Sequence, residues 1–362
     1  MKILHTGDLH IRLKNDKRYR KDVIAVVRYI LDAIAIHKPN YLFCAGDIFD
    51  TKNPTPAETS LVNALIRRIL DTGVKIILTP GNHDIPAQLN AHSTLHPLEN
   101  LKLKNVFVLS EIGIYNINGI DVLAVPFQHL NKVDSLVEIK KLHDEYVGNE
   151  LFMLGHFWVT EYLNITPPST EYVITKDFLR SLTKVKYGAL GHIHLGGEVI
   201  PKFRYSGSPL RVTLGETEPE KKMYLWDDGK ITELNTPVYK LVELDVHNIP
   251  EDLSHIKDSI CKIVAKGITV ESLSKLDIYR TELEKNNNYV YINLELQNIN
   301  FETIKDTTII DVESFVKDYI KKNNLTKDAD TILSICNKIM SEDITKDDSV
   351  DKLTEFGEKS DT

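Results

Sequence analysis

Residues 1–10 read Met1-Lys2-Ile3-Leu4-His5-Thr6-Gly7-Asp8-Leu9-His10. A strand-like run from Lys2 to Thr6 stops at a glycine, and an acid and a histidine follow at once. The same event recurs along the chain. Gly46-Asp47-Ile48-Phe49-Asp50 follows the apolar run Tyr41–Ala45, and Gly81-Asn82-His83-Asp84 follows Val74–Thr79. Gly155-His156 follows Leu151–Leu154, and Gly191-His192-Ile193-His194 follows Tyr187–Leu190. In open α/β sheets, sites form just beyond the carboxyl ends of strands. A glycine there lets the backbone turn sharply, so that the next side chain points into a shared pocket.

Working outward, the intervening segments supply helices at Tyr19–His37 and Pro56–Asp71, the order expected of parallel strands with crossovers. Further strands are expected at Val106–Leu109, Ile112–Ile117 and Asp121–Val125, then a helix over about Val133–Val147. Met223–Trp226 and Lys230–Leu234 flank Asp227-Asp228-Gly229, a hairpin signal. The expected architecture is a mixed sheet sandwich flanked by helices, occupying residues 1–236. Pro237 opens a different pattern over 237–300: a strand at Tyr239–Val246, an amphipathic helix at Glu251–Lys266 and a strand at Tyr289–Leu296, hence a small α+β module. Over 301–341, Asp311–Lys322 and Asp328–Met340 read as two helices. Their apolar stripes include Phe315 and Tyr319 on the first and Ile332, Ile335 and Ile339 on the second, suited either to packing on the body of the protein or to docking a partner helix. Residues 342–362 are polar and acidic, the composition of a disordered tail.

Bulk properties narrow the function classes. With 42% hydrophobic and 27% charged residues the chain has a globular composition. It contains nothing near the ~18 consecutive apolar residues of a membrane span. The N-terminus reaches Asp8 with no apolar signal region, so a cytoplasmic protein is expected. Cys44, Cys261 and Cys336 lie far apart and suggest neither a disulfide framework nor a thiolate metal site. The net charge is −8, which excludes a uniformly basic nucleic-acid coat. The acid is concentrated in the tail, however, and the stretch from Lys14 through Lys17, Arg18 and Arg20 to Lys21 is locally basic. These five residues are candidates for phosphate contact.

The five signatures bring together carboxylate, amide oxygen and imidazole without sulfur, a donor set for divalent cations of borderline-to-hard character. In an extended chain, residues two apart face the same way. Asp8 with His10, and His192 with His194, therefore fit as ligand pairs. Adjacent residues face apart, so Asn82 can bind metal while His83 delivers a proton. Seven ligands (Asp8, His10, Asp47, Asn82, His156, His192 and His194) serve two ions only if one is shared, and Asp47 is the natural bridge. Two ions would acidify a water and clamp both oxygens of an in-line displacement at phosphorus. His83, oriented by Asp84, would serve the leaving oxygen. His5, His37, His129 and His143 lie outside the signatures and read as surface or core residues.

This pattern resembles that of the calcineurin-like metallophosphoesterases, and within them the SbcD-type nuclease subunits of break-processing complexes. Gly46-Asp47-Ile48-Phe49-Asp50-Thr51 and Tyr205-Ser206-Gly207-Ser208-Pro209-Leu210, followed by Gly215-Glu216, add to the likeness, which covers roughly residues 1–235. It implies a four-layered αββα sandwich with a small α+β capping domain and C-terminal helices. One ion would be held by Asp8, His10, Asp47 and His194, and the other by Asp47, Asn82, His156 and His192, with His83 catalytic. Manganese is implied first, although magnesium, iron and zinc accept the same ligands. The resemblance also implies 3′→5′ exonuclease and single-strand or hairpin endonuclease activity, an SbcC-type coiled-coil ATPase partner, and a homodimer within a heterotetramer. The short chain would suit a phage-encoded member working in the host cytoplasm. Two rival readings keep part of this picture. A small-substrate metallophosphatase or cyclic-nucleotide phosphodiesterase would use the same metal residues. A non-cutting subunit that tethers DNA ends would not need the intact ligand set.

Overall fold

The computed structural model describes residues 1–13, 16–86, 92–127, 133–163, 165–168, 172–250, 252–266 and 270–295. Contacts divide the chain into two compact units, Met1–Val238 and one that begins at Tyr239. Among the described residues, the first holds two six-stranded sheets and a two-stranded one, Trp158–Val159 with Val173–Ile174. Across the first sheet the order is Lys230–Asn235, Lys222–Asp227, Lys2–Thr6, Tyr41–Ala45, Lys75–Thr79 and Val106–Val108. Across the second it is Gly197–Ile200, Phe203–Tyr205, Val185–Gly191, Leu151–His156, Ile120–Val125 and Gly113–Ile117.

Strand alternation explains the layers. Leu4, Leu42, Cys44, Ile76 and Leu78 face a core made with helices Lys17–His37 and Pro56–Leu70. Ile3, Phe43, Ala45 and Ile77 point the other way, against Val122, Ala124, Phe152, Leu154 and Ala189 of the second sheet. That sheet's far side, with Leu123, Met153 and Leu190, packs with Ile139 and Leu179 of helices Val133–Glu145 and Lys176–Ser181. The result is helix, sheet, sheet, helix, the expected sandwich. Each large apolar side chain sealed between layers contributes about 1.5–3 kcal/mol. The hairpin also forms, with Asp228 and Gly229 both at positive φ, as a two-residue primed turn requires.

Register then places the motifs. Lys2–Thr6, Tyr41–Ala45 and Lys75–Thr79 are parallel, pairing Thr6 with Cys44 and Ala45 with Thr79. Val185–Gly191 and Leu151–His156 are parallel too, pairing Gly191 with His156. Within each sheet the signatures therefore emerge at the same carboxyl edge.

The second unit has a parallel three-stranded sheet in the order Lys240–Asp245, Ser259–Lys266, Tyr289–Glu295, with helix Val270–Lys285 preceding the last strand. This corrects the helix expected at Glu251–Lys266. Leu253, Ile256, Ile260 and Ile263 mimic a helical stripe, but Ile260, Ile263 and Val264 are β-branched and sit in the central strand, where parallel neighbours bury Ile260, Cys261 and Ile263 completely. The α+β character stands. The expected C-terminal helices, with Phe315, Tyr319, Ile332, Ile335 and Ile339, lie outside the described residues.

Candidate metal centre

The loops that follow the first two strands run side by side. Asp8 N donates to the Gly46 carbonyl at 2.9 Å, His10 N to that of Asp47 at 3.0 Å and Ile11 N to that of Ile48 at 3.0 Å. The ligand pair does not sit in extended chain as expected. Asp8 (φ 49°), His10 (φ 40°), Asp47 (φ 49°) and His192 (φ 99°) all have positive φ, as does Gly46 (φ 83°). Non-glycine residues in such conformations carry a backbone cost of about 1–3 kcal/mol each, and surrounding structure must hold them there. Turning is thus done largely by the functional residues themselves. Gly191 serves another need, because a Cβ there would collide with the Ala45 carbonyl where the two sheets meet.

The side chains converge as the signatures imply. His10 Nε2 lies 3.0 Å from His194 Nε2, and Asn82 Oδ1 lies 3.0 Å from both His156 Nε2 and His192 Nδ1. One Asp47 oxygen, Oδ2, faces both groups, at 3.6 Å from His10 Nε2 and 3.4 Å from His156 Nε2. Ligand atoms of Asp8, His10 and His194 lie within 4.8 Å of one another, as do those of Asp8, Asp47 and His156. Asp8 also accepts from His192 N at 2.9 and 3.1 Å through its two oxygens. Donor atoms about 3 Å apart are spaced like neighbouring ligands of a cation with bonds of about 2.1 Å. Electrostatics agrees. Burial alone would raise the Asp47 carboxyl, but His156, His10 and His83 hold it well below its usual range. Burial would lower His156, yet Asp47 and Asp8 draw it up to about 9. The carboxylate, amide and imidazole donors at these spacings fit divalent cations.

Residues 1–196 match the model of the calcineurin-like phosphoesterase family. The chain belongs to the calcineurin-like phosphoesterases. This phosphoesterase is also similar to the SbcD subunit of the SbcCD nuclease of Staphylococcus saprophyticus subsp. saprophyticus, 23% identical over 357 residues, 84% of this chain and 92% of the relative. Among the described residues, no helix of the phosphoesterase is long and apolar enough to cross a membrane.

Behind the candidate ligands stand groups that face their imidazoles. His156 Nδ1 donates to the Ala45 carbonyl at 2.7 Å, which turns Nε2 toward Asn82 and Asp47. His194 Nδ1 pairs with Glu216 Oε1 at 2.9 Å, and His10 Nδ1 faces Asp50 Oδ1 at 3.4 Å. Burial would raise Glu216, but His194 and Lys221 hold it down to about 2. Phe127 and Trp158 wall the His192 ring, with centroids 6.3 and 5.9 Å away. A cleft of ≈ 470 Å³ opens beside His192, His194, Leu163, Leu195 and Glu216.

Asp84 is not the orienter of His83. His83 Nδ1 donates to the Asp50 carbonyl at 2.6 Å, while Asp84 is fully buried beneath and accepts from the backbone N–H groups of Gly81, Ile48 and Phe49. Burial and the Asp47 charge raise the Asp84 carboxyl to about 6. Its work is to pin the Gly81–Asp84 turn to the Asp47 loop. Asp50 and Glu216 were not identified from sequence, although both stand within quoted motifs. Their sign was the acid that ends Gly46–Asp50 and the acid after Gly215.

Of the basic candidates, Lys17, Arg20 and Lys21 are exposed on the first turns of the helix that Asp16 caps, and Lys14 lies outside the described residues. Arg18 is a correction. It is 4% exposed, paired with Asp22 and Asp16 at 3.3 Å each and donating to the Arg211 carbonyl, so it cannot meet phosphate. Burial likewise explains His5, bonded to Tyr187 Oη at 2.8 Å, and His143, which accepts from Lys184 N at 3.1 Å. His129 lies outside the described residues. Cys44 and Cys261 are free and buried, with thiols pushed up by burial.

Proposed function

We propose that this phosphoesterase is the metal-dependent, DNA-cutting subunit of an SbcC–SbcD-type complex. The observation that carries the reading is similarity to an SbcCD nuclease subunit along 84% of the chain, well beyond the phosphoesterase region. Asp8, His10, Asp47 and His194 would hold one ion, and Asp47, Asn82, His156 and His192 the other. When bound, such a pair supplies a water acidified for attack and charge to offset that developing on phosphorus. Manganese is the preferred metal.

The chain's own residues do the rest. Asp47 accepts from His83 N through Oδ1 at 2.8 Å, so the carboxylate that both ions would share and the His83 turn are set together. A carbonyl only accepts, so the Asp50 contact fixes the Nδ1–H tautomer of His83. His83 Nε2 is thereby left facing the leaving oxygen, to which it gives a proton only from the doubly protonated ring, with Nδ1–H still held by the Asp50 carbonyl. The product reading is a 3′→5′ exonuclease on duplex ends and an endonuclease on single strands and hairpins, working as a homodimer with an SbcC-type ATPase. Segment 301–341 is the proposed ATPase docking element.

The test is digestion of end-labelled duplex and hairpin DNA with manganese, with and without the ATPase subunit, beside hydrolysis of bis(p-nitrophenyl) phosphate. Metal-dependent shortening from the 3′ end supports the reading. Hydrolysis of the small diester with intact DNA would contradict it in favour of a small-substrate phosphodiesterase.

A further inference from the structure

Asp50 is a hub whose third connection the metal chemistry does not use. Its carbonyl takes the His83 proton at 2.6 Å and its Oδ1 faces His10 Nδ1 at 3.4 Å. Its Oδ2 accepts from Arg12 Nη1 at 3.1 Å. Arg12 follows His10 by two residues, and the chain around it is fastened. Ile11 forms a parallel bridge with Phe49, and Asp50 N donates to the Ile11 carbonyl. The guanidinium lies over the Tyr19 ring, 4.1 Å from its centroid. Tyr19 is itself fully buried and donates through its hydroxyl to the His10 carbonyl at 2.8 Å.

A carboxylate on one edge and an aromatic face below hold the guanidinium in one plane. Its remaining N–H groups have no partner among the described residues, and the side chain is 34% exposed. An arginine held this way presents a fixed donor fork, the geometry that recognises phosphate. Ordering the side chain in advance lowers the entropy lost when a ligand arrives. The exposed Lys17, Arg20 and Lys21 lie further along the same chain segment and extend the positive surface.

We propose that Arg12 binds a non-scissile phosphate of a nucleic-acid strand, next to the phosphate at the metal centre, and so selects polymeric over small diesters. The inference rests on the nuclease reading and deepens it. Because Asp50 ties Arg12 to His83 and faces His10, the anchored phosphate registers the strand against the groups that act on its neighbour. A small diester has no second phosphate to offer and gains nothing from Arg12.

The experiment measures the salt dependence of binding to a fluorescent single-stranded oligonucleotide, in the His83→Ala background with manganese, for Arg12, Arg12→Gln and Arg12→Lys. Removing one phosphate contact lowers the slope of log K against log salt by about 0.7 for a single strand. Arg12→Gln is expected to show that drop with a weakening of about ten-fold, and Arg12→Lys to restore the slope but only part of the affinity. With His83 present, Arg12→Gln raises KM for DNA more than it lowers kcat. Manganese content, read by mass spectrometry, stays at the wild-type level. An unchanged slope in Arg12→Gln, with altered metal content or kcat alone, would mean that Arg12 merely props Asp50 and would overturn the inference while leaving the nuclease reading intact. A wild-type protein that hydrolyses bis(p-nitrophenyl) phosphate but neither binds nor cuts DNA overturns both.

Discussion

The two ends of the candidate metal centre are backed by different materials. At one end His10 and His194 lean on carboxylates, Asp50 and Glu216, and His194 borders the open cleft. At the other, His156 is fully buried and leans on a backbone carbonyl, while His192 is flanked by Phe127 and Trp158 and lines the same cleft as His194. Carboxylate backing raises the basicity of an imidazole and can be removed by mutation. Carbonyl backing is part of the sheet edge and cannot. The first end is therefore tunable and the second is built into the fold.

Asp47 belongs to both ends, and replacing it should erase the contrast. Asp47→Asn is expected to reduce bound manganese from two ions to one or none and phosphoesterase activity to background, measured by mass spectrometry and turnover. Retention of two ions would show that the bridge is not needed. His83→Ala should also abolish cleavage but keep both ions and DNA binding, separating proton delivery from metal holding. Cutting at the normal rate would remove His83 from the mechanism.

Glu216→Gln probes the tunable end alone. It should weaken one of two manganese-binding events by about 10–100-fold in calorimetry and leave the other within error. Equal weakening of both would mean that the ends are not independent. Trp158→Ala probes the built-in end and should appear mainly as stability, about 3 kcal/mol in denaturant midpoint experiments, because a large, nearly buried ring is deleted. An effect confined to acid pH lies away from both ends. Burial lowers His5 to about 3, so its protonation favours the unfolded chain. No cost arises above the unfolded value near 6.5. As pH falls from there toward 3, stability drops at up to about 1.4 kcal/mol per unit. His5→Gln should flatten that slope, and an unchanged slope would assign the acid sensitivity elsewhere.

Much of this was legible in the sequence because the first unit repeats one event: an apolar strand, a glycine and a ligand. Strands such as Tyr41–Ala45 are buried on both faces and flanked by amphipathic helices, so local pattern and tertiary position agree. The second unit had no such agreement, and a stripe from Leu253 to Ile263 fitted a helix as well as it fitted turns followed by a strand. The contacts that lie across the fold were not legible either. Nothing local says that Asp84 turns down onto Ile48 and Phe49 rather than toward His83, or that Arg18 is sealed against Asp22 while Lys17 and Arg20 face water. Positive φ at Asp8, His10, Asp47 and His192 is likewise imposed by the crossing loops, since none of these residue types demands it.

The central claim is that Asp47 joins two cations at this edge of the sandwich. Anomalous diffraction at the manganese edge, from crystals grown with that metal, tests it most directly. Two peaks about 3.5–4 Å apart are expected, with Asp47 between them, His10 and His194 on one and Asn82, His156 and His192 on the other. A single peak, or two peaks that do not share Asp47, would contradict it.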